Sequence, residues 1–196
     1  MSNLELNKGD NFIFGVDVSA SMQATDCPGG LQRLEYLKEK VITFAAEAGK
    51  YDEDGIDVIA FGHAITPHKG VTPAKAAEVI GALKANEGST DTAGLISAAY
   101  KLHKEGKYAQ TVLFIATDGS PADKSAVREE IRSIASELKD EHEFAISFLI
   151  VGKPDAALSA FLTELDDELK AKHDIVDVKN LEEVDFMTAF VGALHD

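Results

Sequence analysis

The sequence predicts a single α/β domain built on one doubly wound, Rossmann-like, mainly parallel sheet with helices on both faces. Three observations lead there. Apolar runs such as FIFGVDV, IDVIAFG, TVLFIATDG and FAISFLIVG show no polar alternation before their ends, as strands covered on both faces do. Amphipathic helical patterns separate them from one end of the chain to the other. Finally, 196 residues that are 45% hydrophobic suit one full-sized core and would be cramped as two. The domain is expected to fill residues 1–196, with its core at about 10–194.

Taken in order, FIFGVDV (12–18) is the first strand. In the helix that follows, Leu34, Leu37, Val41, Phe44 and Ala48 make one stripe and Gly49 is a natural stop. IDVIAFG (56–62) is the second strand, and the short polar HAITPHKGV is an edge strand or hairpin. Thr72-Pro73 reads as an N-cap with proline at the first helical position, opening PAKAAEVIGAL. NEGSTDT (86–92) is a loop, and Leu95, Ala99 and Leu102 line one side of the next helix. TVLFIATDG (111–119) is a strand, followed by a helix marked by Val127, Ile131, Ile134 and Leu138. FAISFLIVG (144–152) is another buried strand. Leu158, Phe161, Leu162, Leu165 and Leu169 stripe a further helix, DIVDV (174–178) is the last strand, and LEEVDFMTAFVGAL ends the chain as a helix.

Lys and Arg number 19 against 34 Asp and Glu, a net charge of −15. Such a surface repels nucleic acid and anionic lipid, whose recognition needs clustered cations, and no basic stripe overrides the average. The opening MSNLELNKGD has no apolar signal core, and no stretch approaches the roughly 20 apolar residues of a membrane span. A single cysteine, Cys27, excludes an internal disulfide and fits a reducing compartment, so the expected location is cytoplasmic. Cys27 beside Pro28-Gly29 reads as incidental. The six histidines are scattered without zinc-ligand spacing.

In a doubly wound sheet, ligands bind outside the carboxyl ends of the strands, where strand order reverses. The loops there carry oxygen. The first strand finishes in Asp17, Ser19 and Ser21, the 111–119 strand in Thr117-Asp118-Gly119-Ser120, and the middle loop holds Ser89-Thr90-Asp91-Thr92. Residues two apart on an extended chain project to the same side, so Asp17, Ser19 and Ser21 can converge. Hydroxyls and carboxylates suit hard cations such as Mg²⁺, which keeps several waters and needs few direct protein ligands. Each loop also has a plainer reading. The serines, Thr90 and Thr92 can cap helices, and DGSP can be a turn into the next helix.

DVSAS after the first strand, GST in a Gly-containing loop and TDGS after a later strand together resemble the metal-ion-dependent adhesion site of von Willebrand factor A-type domains. The resemblance extends over about residues 10–194, because element order agrees as well, and it points to the bacterial intracellular members. It implies one antiparallel edge strand, for which HAITPHKGV is the candidate. It also implies that the strands ending in Asp17 and Asp118 lie side by side at the switch point. Carried over position by position, Ser19 and Ser21 bind the metal through their hydroxyls, and Thr90 binds directly or through water. Asp17 and Asp118 act mainly through water and by orienting those hydroxyls. All five are expected in loops at a sheet edge. The implied ion is Mg²⁺, with Mn²⁺ or Ca²⁺ as alternatives. Ala20 departs from the commoner glycine, and the loop 23–32 is longer than in many extracellular relatives.

The functional expectation is a non-enzymatic binding module, monomeric alone, whose cation accepts an Asp or Glu from a protein partner. The resemblance makes an AAA+ ATPase or a stress-response complex the expected partner class. Two alternatives stand beside it. One is a Mg²⁺-dependent phosphotransferase of the haloacid dehalogenase type, with Asp17 as nucleophile and Asp118 and Asp123 as later acids. Ser19 replaces the acid/base group that chemistry expects two residues beyond the nucleophile. The other is a scaffold with a vestigial site.

Overall fold

The computed structural model describes residues 10–49 and 54–182. Six strands form one sheet in the order β3-β2-β1-β4-β5-β6. They are β1 (Asp10–Asp17), β2 (Ile56–Phe61), β3 (Ile65–Val71), β4 (Gln110–Thr117), β5 (Phe144–Ile150) and β6 (Val176–Asn180). All neighbours pair in parallel except β2 and β3, a short antiparallel hairpin that puts HAITPHKGV at the edge.

The helices are α1 (Arg33–Ala48), α2 (Pro73–Gly81), α3 (Thr92–Gly106), α4 (Lys124–Glu137) and α5 (Ala156–Thr163). Pleating divides the strand side chains between two layers. Phe12, Phe14 and Val16 join α1 and α2 in one core, whereas Ile13, Ile59 and Phe61 join α3, α4 and α5 in the other. At Gly15, a Cβ would stand 2.6 Å from a methyl of Leu95, so glycine lets α3 lie directly on β1. That closeness sets the loop before α3 beside the end of β1.

Two local expectations change. Thr72 stands at the N-cap of α2 with Pro73 first in the helix, yet its side chain makes no capping bond. The stripe from Leu158 to Leu169 is not one α-helix, because α5 passes into a π-type turn at Glu164–Glu168. Leu165 stays buried there while Leu169 does not. The terminal helix expected at 181–194 lies outside the described residues beyond position 182. Among the described residues, no helix is long and apolar enough to cross a membrane.

Candidate functional site

β1 and β4 are the neighbours at which the sheet reverses its winding, and both end in polar residues. Their register pairs Val16 with Ala116, which puts Asp17 level with Thr117. Asp17 is the last residue of β1 and wholly buried, rather than part of a loop as expected. Its Oδ2 accepts from Thr117 Oγ1 at 2.6 Å and its Oδ1 from the Ser19 N–H at 2.8 Å. Burial pushes this carboxyl above the usual carboxylate range, the hydrogen bonds from Ser19 and Thr117 pull it back, and the neighbouring Asp118 charge adds to the rise.

From there a chain of side-chain bonds runs outward. Ser19 Oγ and Ser21 Oγ are 3.0 Å apart, and Ser21 Oγ donates to Asp118 Oδ1 at 2.8 Å. The loop then returns through a short 3₁₀ turn at Ala20–Gln23 that buries Met22. Ser19 occupies that turn's N-cap position without making a capping bond. The caps are supplied by other residues. Asp91 caps α3 through the Gly94 N–H at 2.9 Å, and Asp123 caps α4 through the Ser125 and Ala126 N–H groups. The serines, Thr90 and Asp118 are thereby left over from the capping roles that the plainer reading gave to these loops.

Thr90 reaches the same edge by its backbone. Its carbonyl accepts from the Ala122 N–H in the loop after β4, and the neighbouring Asp91 N–H donates to the Gly62 carbonyl at the end of β2. On the other side, the Ala20 N–H donates to the Glu87 carbonyl, which ties the 86–92 loop to the first loop. Four of the five predicted residues therefore share one hydrogen-bond network, and the fifth is buried in the loop fastened between them.

The donor set fits a hard divalent cation. Two oxygens bound to one octahedral ion at about 2.1 Å stand about 3.0 Å apart, which is the Ser19–Ser21 separation. In the loop after β4, Ser120 Oγ is buried and has no hydrogen-bond partner among the described residues. Among the described residues, no three His, Cys, Asp or Glu side chains converge to hold a metal.

Three residues of this edge, Thr117, Arg33 and Asp26, are not among the five predicted site residues. Thr117 orients Asp17, and Arg33 spans Asp118 and Asp26. Arg33 Nη1 donates to Asp118 Oδ2 at 2.6 Å, while Nε and Nη2 fork the Asp26 carboxylate at 2.7 and 2.6 Å. That fork holds the Asp26 carboxyl down at about 2. A sequence signal for Arg33 exists. It is the first residue of α1, where the helix dipole disfavours a cation, so anionic company is expected there. Cys27, in the same loop, is buried, and burial raises its thiol, which makes it a poor nucleophile.

A doubly wound sheet with one antiparallel edge, whose central strands end in a hydroxyl and carboxylate cluster at the switch point, defines a Rossmann-like α/β domain. The chain belongs to the von Willebrand factor type A domain family, whose model matches residues 12–120 and so spans all three oxygen-bearing loops. Solved structures share the fold at low identity. The manganese-loaded TRAP protein of Plasmodium vivax is 15% identical at a TM-score of 0.60, over 94% of this chain and 72% of that one. A von Willebrand factor type A protein from Catenulispora acidiphila is 19% identical at 0.63, over 95% of this chain but 43% of its own. The PilB minor pilin of Streptococcus sanguinis, as a D319A mutant, is 12% identical at 0.60, over 92% and 60%. The chain thus spans less than two thirds of the last two. No curated protein matches it significantly.

Proposed function

We propose that this domain is a metal-dependent protein-binding module that holds a divalent cation, Mg²⁺ first, through Ser19, Ser21 and Thr90, with Asp17 and Asp118 orienting them. The observation that carries this reading is the bond chain Ser19–Ser21–Asp118, built from side chains that cap no helix and meet across 97 residues of sequence. When bound, the cation would supply a coordination position for an anionic oxygen, a carboxylate of Asp or Glu on the partner. The protein's own groups do the rest. Thr117 and the Ser19 N–H fix Asp17 at the buried base. Asp118 accepts the Ser21 proton, which turns the lone pairs of that hydroxyl toward its neighbours. Neutral hydroxyls in the first rank leave the ion's charge incompletely neutralised, so that an acidic protein can take up an acidic group. The manganese of the Plasmodium vivax relative is in keeping with this reading. A cytoplasmic partner such as an AAA+ ATPase or a stress-response complex remains part of the proposal.

The phosphotransferase alternative is less well supported. Both oxygens of Asp17 are engaged at a fully buried position, and Asp123 is committed to capping α4. The test is to measure Mn²⁺ binding by wild type and Thr90→Ala, together with capture from native extract in Mg²⁺ and in EDTA. Thr90→Ala is expected to fold, to bind Mn²⁺ more than tenfold more weakly and to lose the Mg²⁺-dependent capture. Wild type that binds no Mn²⁺ at millimolar concentration overturns the reading. Aryl phosphate turnover that survives in Ser21→Ala but vanishes in Asp17→Asn would favour the enzyme instead.

A further inference from the structure

One cation is already built into this edge. The Arg33 guanidinium is 12% exposed, and it takes one oxygen of an Asp118 side chain that is 0% exposed. Ser21 takes the other. Asp118 is therefore shared between a hydroxyl of the proposed cation site and a resident positive charge. Arg33 cannot shed that charge by deprotonation. Its second carboxylate, Asp26, comes from the loop before α1 and is matched to it by two parallel bonds, the strongest geometry a guanidinium has. The loop after β5 backs this pair. Gly152 has φ +67°, and a Cβ there would stand 2.6 Å from Arg33 Nε and 2.8 Å from an Asp26 oxygen. The Arg33–Asp118 contact is covered, whereas Asp26 meets the guanidinium from the exposed side.

We infer that Arg33 is the internal rival of a divalent cation for Asp118, and that Asp26 sets how strongly it competes. The inference rests on reading the five residues as a cation site. A guanidinium bonded to Asp118 neutralises part of the charge that would hold the ion, and it repels the ion directly. Asp26 works the other way, since its carboxylate offsets the guanidinium charge from the far side while Nη1 keeps its bond to Asp118. Affinity for the ion alone is thus held down. An acidic group from a partner would bond the ion directly, so ion and partner bind with positive coupling. Arg33 is a positioning residue for Asp118 and a brake on the ion.

The experiment is a calorimetric Mn²⁺ titration of the whole chain and its Arg33→Gln, Arg33→Lys and Asp26→Asn variants, each checked for folding by circular dichroism. Arg33→Gln is expected to bind Mn²⁺ about tenfold more tightly, the size of one unit charge acting on a dication across a few ångströms of solvated site. Arg33→Lys keeps the charge and is expected to stay within about twofold of wild type. Asp26→Asn is expected to bind several-fold more weakly, because the guanidinium is left with Asp118 alone. A merely structural clamp would shift Arg33→Gln and Asp26→Asn in the same direction, since both break one pair. Equal or weaker binding by Arg33→Gln, or unchanged or tighter binding by Asp26→Asn, overturns the inference while the cation site stands. Each variant decides the matter separately if the other does not fold. Absence of Mn²⁺ binding in every variant overturns the cation site and this inference together.

Discussion

Strand β4 carries a buried threonine at each end, and the two have opposite surroundings. At its start, Thr111 Oγ1 meets His103 Nδ1 at 2.8 Å. His103 is closed in by rings, with Tyr100 stacked at 5.8 Å and Phe144 edge-on at 5.7 Å between centroids. Tyr100 in turn donates to Glu137. At its end, Thr117 Oγ1 bonds Asp17, and from Asp17 the bonds lead outward to Ser19, Ser21 and Asp118. In the first cluster the buried threonine is paired with His103 and covered by aromatic packing. The second ends in an exposed serine whose oxygen has lone pairs to spare. Burial of polar groups therefore does not mark a site by itself. The proposed site differs in being a bonded chain that begins in the core and ends in an exposed hydroxyl.

Truncation should separate the two ends most strongly. Phe144→Ala opens a cavity under the His103 cluster and is expected to cost about 4 kcal/mol, read from denaturant unfolding, with Mn²⁺ affinity unchanged in the folded fraction. Asp17→Ala is expected to cost about 3 kcal/mol, because it strands the Ser19 N–H and leaves the Thr117 hydroxyl only its longer contact to the Gly119 carbonyl in a buried place. Unlike Phe144→Ala, it should also abolish Mn²⁺ binding. Equal ion binding by both variants would erase the distinction drawn here.

A smaller and reversible effect comes from pH. Burial lowers the His103 imidazole below its ordinary 6.5, with Glu143 opposing and Lys104 assisting the shift. The sign follows from which state takes the proton. Above about 6.5 both states are neutral at this group and stability is full. As pH falls below that value, the unfolded chain binds a proton that the folded one refuses, so stability is lost toward the folded pKa. The slope cannot exceed about 1.4 kcal/mol per pH unit for one proton. His103→Gln should remove this share of the slope in urea melts between pH 7 and 5. An unchanged slope would mean that the amino-end cluster is not closed to protons.

Much of the carboxyl end was legible in the chain. Apolar strands without alternation announce the sheet, and the two that stop at oxygen-bearing residues, β1 and β4, announce the edge where the loops meet. Hidden from sequence were contacts that depend on register between distant strands. Thr117 reaches Asp17 across 100 residues only because β1 and β4 pair as they do. Arg33 and Asp118 are 85 residues apart, and the sole hint was a cation at the wrong end of a helix. Local competition also went unread. With Thr90, Asp91 and Thr92 in a row, the aspartate takes the cap, and Thr90 is left for other work. Asp17 lies within the 12–18 strand read from the sequence, and its pairing with Phe61 of β2 keeps it under cover and out of the loop that the family resemblance implies.

The smallest expected change in stability is also the one that distinguishes the two ends most sharply. Ser21→Ala removes an exposed hydroxyl from a 3₁₀ turn and two side-chain bonds, to Ser19 and Asp118. Each such bond is worth about 1 kcal/mol net in a folded protein, and less where water can replace it. Asp118 remains held by Arg33 through its other oxygen, so the loop keeps its anchor. The loss should therefore stay below about 1 kcal/mol. At the opposite end, Thr111→Val keeps shape but leaves the His103 Nδ1 unpaired in a dry place, which costs about 1–3 kcal/mol. Ion binding should order the pair the other way. Thr111→Val is expected to bind Mn²⁺ as wild type does, whereas Ser21→Ala loses one of two hydroxyl ligands 3.0 Å apart and should bind at least tenfold more weakly. Urea unfolding and Mn²⁺ calorimetry on the two variants decide the matter. If Ser21→Ala holds the ion as tightly as wild type, the outward chain of bonds is structural at both ends of β4, and the contrast between them disappears.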